Sequence, residues 1–288
     1  TPMLIQFWKL KSAHFDKIAL FKVGKFYELF YYDAFIAQNI CGLKWMGEKR
    51  PHVGFPEMAK NNYAKMLVDA GYKVVVVEQV ERVAEQRERT AGVGRQEKGN
   101  STGPSCVERD LCEVFTKGTL VDPELLGGSG ARYMAFLHFE DQVGTGASAQ
   151  LPFAACLVDA ATSQIFVGRI SDAPDRNALR TLLAQVQPSE AVYTVANLPA
   201  EVLTILRRLP CRPQLSPLRA SPSAMAARDR LSRYQREHPG RLPEAVAGLL
   251  GTESTAVAVA GAMEYLEGVL LGQRVLPFAI WDVLDRVC

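Results

Sequence analysis

Residues 18–29 read Ile-Ala-Leu-Phe-Lys-Val-Gly-Lys-Phe-Tyr-Glu-Leu, and their pattern carries the clearest structural signal in the first part of the chain. The apolar run 18–23 has the length of a strand, and Gly24 interrupts it. Apolar residues at helical spacing follow over 29–40. The stretch therefore predicts a strand, a glycine turn and a helix, with an aromatic and acidic segment at the strand-to-helix junction.

Further downstream the alternation of strands and helices continues. Residues 61–70 have helical spacing, with Asn61 as the expected N-cap. Four consecutive valines at 74–77 indicate a strand buried on both faces, and 111–115 resumes strand character. The intervening segment 81–106 is rich in Arg, Glu, Gly and Ser and predicts a solvated loop. The first 120 residues thus predict a compact α/β domain.

The next part of the chain predicts a second α/β domain over 121–250. A Pro-, Ser- and Arg-rich stretch lies near its end. Its arginine-rich part, 228–241, could contact nucleic acid, but we expect it to form a solvated, mobile loop. The long apolar helix that follows predicts the start of a third, helical domain over 251–288. In chain order the predicted elements are strands 133–139, 153–158 and 165–170, helix 174–186, strand 191–195, and helices 199–209 and 252–271.

Composition and charge limit the classes of protein that this chain can represent. The 288 residues are 48% hydrophobic, which excludes wholesale disorder, and the net charge of +2 argues against a uniformly basic protein. Residues 1–77 nevertheless hold 11 Lys or Arg against 6 Asp or Glu, which points to an anionic partner for this part. Six scattered cysteines without a Cys-x-x-Cys pair favour reduced thiols in an intracellular protein over a zinc site. The abrupt start and the apolar end suggest a piece of a longer protein.

The junction segment holds the residues with the clearest chemistry. In an extended chain Phe26 and Glu28 point the same way. An exposed ring can stack on an unstacked base, and a carboxyl group can hydrogen-bond the edge of that base. The alternative is that Phe26 belongs to the core and Glu28 is simply solvated, which is the usual place of aromatic and acidic residues.

The segment 24–28, Gly-Lys-Phe-Tyr-Glu, resembles the G-x-F-Y-E mismatch-recognition motif of the MutS family of DNA mismatch repair proteins. The spelling with Lys25 is similar to the eukaryotic mismatch-contacting subunit of that family. Further segments stand in the order and approximate spacing of the family: 54–57, Tyr63, 71–74, 77–79 and 116–119. The resemblance is specific over residues 1–120 and looser beyond them.

This resemblance implies a role for each residue of the motif. Phe26 would enter DNA from the minor groove and stack on the mispaired base, while Glu28 would hydrogen-bond that base. Val23 and Met46 would support the wedge, with Gly24 in the turn. Lys25 and Lys22 would face phosphate groups.

The resemblance also implies a fold, partners and a location. Residues 1–120 would be the mismatch-binding domain, 121–250 a ribonuclease-H-like connector, and 251–288 the start of the helical core and lever region. The implied partners are mismatched double-stranded DNA, a second MutS homologue of the type-two subunit in a heterodimer, and downstream MutL-type repair factors. No membrane partner is expected, and the implied location is the nucleus. The fragment would not itself be an enzyme and would hold no cofactor or metal, since ATP and Mg²⁺ would bind a C-terminal ATPase domain outside these residues.

Two other functions stay open. A ribonuclease-H-like strand order would also suit a two-metal nuclease, to which Asp159 and Glu140 could contribute carboxylates, although no third acid stands out. The second domain could instead be a pure interaction module that passes signals between other parts of the protein. A glycine-containing segment at 94–101 lacks the lysine of a phosphate-binding loop and predicts no nucleotide site.

Overall fold

The computed structural model describes residues 1–47, 50–80, 106–119, 132–145 and 149–284. The chain divides into two compact units, Thr1–Thr116 and Lys117–Cys288, which we call unit 1 and unit 2. Each unit is built on one mixed β-sheet with helices packed on it, so the predicted α/β class is confirmed. The predicted loop over 81–106 and the glycine-containing segment at 94–101 lie almost wholly outside the described residues.

Unit 1 contains a five-stranded sheet in the order β3-β2-β1-β4-β5. Strand β1 is antiparallel to β2 and parallel to β4. The elements in chain order are α1 Pro2–Ala13, β1 Lys17–Val23, β2 Phe26–Phe30, α2 Tyr32–Cys41, β3 His52–Pro56, a short 3₁₀ turn Glu57–Ala59, α3 Lys60–Asp69, β4 Lys73–Gln79 and β5 Arg109–Phe115.

The predicted strand-to-helix junction is a β-hairpin, and the prediction was wrong at this point. Val23 pairs with Phe26, so only Gly24 and Lys25 form the turn. The φ angle of Gly24 is +60°, whereas that of Lys25 lies outside the left-handed region. This combination is the pattern of a type II′ hairpin turn. The aromatic-rich segment 26–30 therefore forms a second strand, and the helix begins only at Tyr32.

Both faces of the unit 1 sheet are covered, which explains why the four valines at 74–77 are fully buried as predicted. On one face Phe7 of α1 packs edge-on against Phe21 and Phe30. On the other face Tyr63 of α3 packs on Phe55 of β3. Helix α3 follows the 3₁₀ turn and begins at Lys60 without a side-chain cap, so the expected N-cap at Asn61 was wrong.

Unit 2 contains a six-stranded sheet in the order β10-β9-β6-β7-β8-β11. Strands β6, β7 and β8 form an antiparallel meander, whereas β9, β10 and β11 join it in parallel. The elements are β6 Tyr133–Phe139, β7 Phe153–Asp159, β8 Gln164–Ile170, α4 Asn177–Val186, β9 Glu190–Thr194, α5 Ala200–Arg208, β10 Gln214–Leu218, α6 Ala224–Glu237, α7 Glu244–Leu249, α8 Glu253–Gly268, α9 Gly272–Val275, a 3₁₀ turn Leu276–Phe278 and β11 Ile280–Val283.

Helix α8 packs on the sheet of unit 2, where the sequence had predicted the start of a third domain. It contacts β6, β7 and β8, and Tyr265 lies edge-on to Phe136 with ring centres 5.8 Å apart. The opposite sheet face packs against α4 and α5 through a single apolar cluster. The Ala- and Val-rich composition of α8 thus reflects burial against a sheet, and the residues after 251 continue unit 2.

The arginine-rich stretch 228–241, predicted as a mobile loop, is mostly helical. Ser223 caps α6 by accepting a hydrogen bond from the Ala226 N–H. Leu231 and Tyr234 bury one side of the helix, and the Tyr234 hydroxyl donates to the Leu276 carbonyl at 3.0 Å. Only one residue per turn of this helix is buried, so the composition of the segment is dominated by arginines and does not indicate a helix.

Gly118, near the start of unit 2, is held by a buried carboxylate. Glu190, the first residue of β9, is fully buried. It accepts hydrogen bonds from the Gly118 N–H at 3.2 Å and from the hydroxyls of Ser216 and Tyr265. A Cβ at Gly118 would lie 2.2 Å from the Met134 Cγ, so this close approach requires glycine.

Candidate nucleic-acid interface

Phe26 and Glu28 lie on the same face of β2, as expected for an extended strand. In the registers with β1 and β3, Phe26 pairs with Val23 and Pro56. Glu28 pairs with Phe21 and Gly54. Paired residues share a face of the sheet, so these six residues define one surface beside the hairpin turn.

The exposure of the two side chains is the reverse of the usual pattern. Phe26 is 42% exposed, whereas Glu28 is partly buried. Tyr27, on the opposite face, is 2% exposed and its hydroxyl donates to Glu78 of β4. Tyr27 therefore belongs to the core, and the alternative that placed Phe26 there was wrong. An aromatic ring kept in solvent next to a shielded carboxylate is available to a ligand.

Met46 is brought to this surface by a short extension beside β3. The Met46 N–H donates to the His52 carbonyl at 2.9 Å, and Trp45 bridges Val53. A Cβ at Gly54 would lie 2.8 Å from the Met46 Sδ and 3.4 Å from the Glu28 Cγ. Met46 thus covers Gly54 and lies next to Glu28.

We expect Gly54→Ala to destabilise unit 1 by about 1–3 kcal/mol, because the new methyl group overpacks a filled site. It would displace Met46 and approach the Tyr27 carbonyl at 3.1 Å. Urea unfolding measures this effect. The matched control is Gly248→Ala in α7, where a Cβ meets nothing within 4 Å. Equal unfolding midpoints for the two variants would contradict the packing role assigned to Gly54.

The environment of Glu28 disfavours its charge. Burial raises the pKa of Glu28, and nearby His52, Arg50 and Arg109 offset only part of this increase. No described residue donates a hydrogen bond to its carboxylate. Since the folded-state pKa lies above the unfolded one, the charged form costs stability, and this cost disappears as the pH falls through the folded-state pKa.

The two lysines of the predicted site lie in different places. Lys25 is exposed at the tip of the hairpin, and its carbonyl accepts the Glu57 N–H at 2.9 Å. Lys22 is buried on the face opposite Phe26, where its ammonium group pairs with Glu57 at 2.5 Å and lies over the Tyr27 ring. The structure therefore keeps Lys25 beside the site and removes Lys22 from it. The alternation of side chains along β1 could have predicted this placement, because Lys22 neighbours Val23 and must therefore lie on the opposite face of the strand.

Sequence reasoning missed Arg109, which lies beside the site. Its guanidinium group stands 5.0 Å from the Phe21 ring centre and donates to the Lys22 carbonyl at 2.7 Å. Its positive charge lowers the pKa of Glu28. Arg109 is distant in sequence and reaches the site only because β5 pairs with β4, so no local pattern could have identified it.

The carboxylates considered for a nuclease are occupied by structural contacts. Asp159 accepts from the Ala161 N–H and the Thr162 hydroxyl in the turn after β7. Glu140 pairs with Arg169 at 2.6 Å and accepts from Ser254. Within the described ranges, no group of three or more His, Cys, Asp or Glu side chains could hold a metal ion.

A search of the same residues for membrane spans finds no single helix of sufficient length and hydropathy. One pair, α8 with residues 272–278, meets the criteria of length and composition together but is bent by 110°.

Comparison with known proteins gives consistent results. Residues 1–124 match the family model for MutS domain I. The chain is 38% identical over 200 residues to DNA mismatch repair protein MSH6 of Arabidopsis thaliana, covering 69% of this chain and 14% of that protein. It is 33% identical over 208 residues to Msh6 of Homo sapiens, covering 72% and 15%. DNA mismatch repair protein MutS of Rickettsia felis is 31% identical over 200 residues, covering 67% and 20%. The chain thus spans 14–20% of the length of these relatives.

Proposed function

Because the chain belongs to the MutS family of DNA mismatch repair proteins, we propose that unit 1 recognises mispaired bases and small insertion or deletion loops in duplex DNA. Phe26 inserts into the minor groove and stacks on the mispaired base, and Glu28 contacts the edge of that base. Val23 and Met46 support the ring, Gly24 sets the turn, and Lys25 approaches a phosphate group.

The observation that carries this proposal is the exposed Phe26 ring beside the partly buried Glu28 on one strand. A wedge that unstacks a base step costs a few kcal/mol, and the cost is least where pairing is already weak. Stacking on an aromatic ring tolerates every base, which suits a protein that must accept many mispairs. The test is the ratio of affinities for mismatched and matched duplex at fixed salt, measured with and without the Phe26 ring.

Glu28 adds discrimination through repulsion. A carboxylate at the end of the wedge is repelled by the phosphates of any duplex, but a displaced base can offer a compensating hydrogen-bond donor. The raised pKa of Glu28 makes a second route available, in which the carboxyl group takes up a proton and donates to an acceptor on the base.

We expect Glu28→Gln to raise affinity for matched duplex at neutral pH by about fivefold, because one unfavourable charge of roughly 1 kcal/mol is removed. In the wild type the affinity for matched duplex should increase in the same way as the pH falls through the raised pKa of Glu28. In Glu28→Gln this affinity should not increase through protonation of residue 28. Fluorescence anisotropy from pH 5 to pH 8 measures both.

The control for this experiment is Asp69→Asn, which removes one negative charge from unit 1 on helix α3, where Asp69 pairs with Lys65. It should leave the pH profile of the wild type in place. An equal loss of affinity for matched and mismatched DNA in Glu28→Gln would make Glu28 a scaffold residue and contradict its role in discrimination.

Unit 2 is proposed as the connector of the family. Its meander of three antiparallel strands, extended by two parallel strands at the β6 side, supports a ribonuclease-H-like core. We propose that it transmits the state of the DNA site to an ATPase that binds ATP and Mg²⁺ outside these residues, within a heterodimer with a second MutS homologue, and that it serves MutL-type factors. The chain contributes binding and no catalytic step. Nuclear DNA is the proposed substrate, since the relatives compared include plant and human proteins.

A further inference from the structure

Unit 2 concentrates its positive charge in one segment. Residues 212–241 hold seven arginines, no lysine and only two carboxylates. The rest of unit 2, 117–211 and 242–288, holds 9 Lys or Arg against 15 Asp or Glu. A basic segment within an otherwise acidic unit is the electrostatic pattern of an anion-binding surface.

Helix α6 presents part of this charge on a rigid, outward face. Ala227, Leu231 and Tyr234 form its buried side. Arg233 and Arg236 lie about one turn apart on the outward half, and Arg228 is exposed at the flank. We call these three residues the arginine face.

The arginines of this face are not engaged by carboxylates among the described residues. Three other arginines of unit 2 do pair with carboxylates: Arg169 with Glu140, Arg176 with Glu201 and, on α6 itself, Arg230 with Glu267. Within the described ranges, none of the three arginines of the arginine face has an ion pair of this kind. Arginine pairs that stabilise the fold therefore use other positions, and the arginine face is available to a partner.

The geometry favours nucleic acid as the partner. The eight helical steps from Arg228 to Arg236 rise about 12 Å along the helix, which spans roughly three phosphates of one DNA strand. Guanidinium groups bind phosphate oxygens in a bidentate manner, which matches the exclusive use of arginine over lysine. The exposed side chains of α6 include no aromatic ring that could stack on a base, which suits contact with the backbone.

We propose that the arginine face of α6 binds the phosphate backbone of duplex DNA without sequence or mismatch preference. This inference rests on the proposed function in taking DNA as the partner, but it assigns a second contact on a different unit. Charge at α6 adds affinity and leaves discrimination to Phe26 and Glu28.

The test is the salt dependence of binding by the 288-residue chain to matched duplex, between roughly 50 and 200 mM salt. We expect Arg233→Gln/Arg236→Gln to reduce the slope of log affinity against log salt by about 2, one unit for each lost phosphate contact. The loss should be equal on mismatched duplex. Arg228→Gln, an independent variant, should reduce the slope by about 1. All three positions are exposed, so circular dichroism should show an unchanged fold.

The matched control is Arg180→Gln/Arg208→Gln, which removes the same charge from exposed positions on α4 and α5. An equal change of slope in this control would overturn the proposal, since net charge alone would then explain the effect. A wild-type slope in all arginine-face variants, or no binding to DNA even at low salt, would also overturn it and would assign the face to an acidic protein. If the wedge assignment of Phe26 is wrong, the preference for mismatched over matched duplex will survive the loss of the Phe26 ring. The arginine face should not affect this ratio of affinities, so the two proposals can fail independently.

Discussion

Phe26→Ala is expected to abolish the preference for mismatched over matched duplex and to leave weak, salt-sensitive binding. The lost stacking on a base is worth about 1–3 kcal/mol, which corresponds to roughly 5- to 150-fold in mismatch affinity. The ring is 42% exposed and contributes little to the core, so stability should change by less than about 1 kcal/mol. Fluorescence anisotropy with both duplexes, on the chain assembled with its proposed partner subunit, measures the ratio.

The control is Phe15→Ala, which removes a ring that is 76% exposed. Phe15 precedes β1, whereas the hairpin turn follows it, so the seven residues of the strand separate the two positions by about 23 Å. This variant should keep the mismatch preference of the wild type. An undiminished preference in Phe26→Ala would contradict the wedge.

The largest effect on stability is expected for Glu190→Ala in unit 2. The substitution removes the acceptor of three buried hydrogen bonds, which the Gly118 N–H and the hydroxyls of Ser216 and Tyr265 donate. Removing the acceptor of a buried hydrogen bond costs about 1–3 kcal/mol, so we expect the loss of three such bonds to lower the free energy of unfolding by at least about 3 kcal/mol. Urea unfolding, with hydrogen exchange of the unit 2 amides as the readout, measures this loss.

Tyr265→Phe is the matched control for Glu190, because it removes one of the three donors and keeps the ring against Phe136. We expect it to cost about 1 kcal/mol, which is the net value of a single hydrogen bond. A loss below about 1 kcal/mol for Glu190→Ala would mean that water replaces the carboxylate, and the proposed hold on Gly118 would then be wrong.

Much of the sheet architecture could be predicted, because strongly periodic or continuously apolar segments carry their own signal. The four valines at 74–77 can satisfy only a strand buried on both faces. The spacing over 252–271 indicates a helix with equal clarity. Its place on the unit 2 sheet could not be predicted, since an apolar helix looks the same whether it covers a sheet or enters a bundle.

The candidate site was predicted in part, through the family resemblance of 24–28. What local patterns could not supply was the side of the sheet on which each residue lies. Lys22 was expected near phosphate, but the pleat turns it towards Glu57. Arg109 reaches Glu28 through a strand pairing of distant segments, and α6 was hidden because its narrow apolar stripe lies among arginines. Each of these errors concerns either the pairing of distant strands or the side of a strand or helix on which a residue lies. Amino-acid composition indicates neither.

The two-residue turn at Gly24 and Lys25 fixes which side chains of β2 share the face proposed to bind DNA. Since side chains alternate along β2, inserting or deleting one residue in the turn while the pairing with β3 adjusts would exchange the two faces of the strand. Tyr27 would then face the ligand, and Phe26 would enter the core. The same five-residue sequence on a hairpin with a turn one residue longer or shorter would therefore lack the proposed DNA-contacting face. A graft of this motif onto another protein must keep the turn length as well as the sequence.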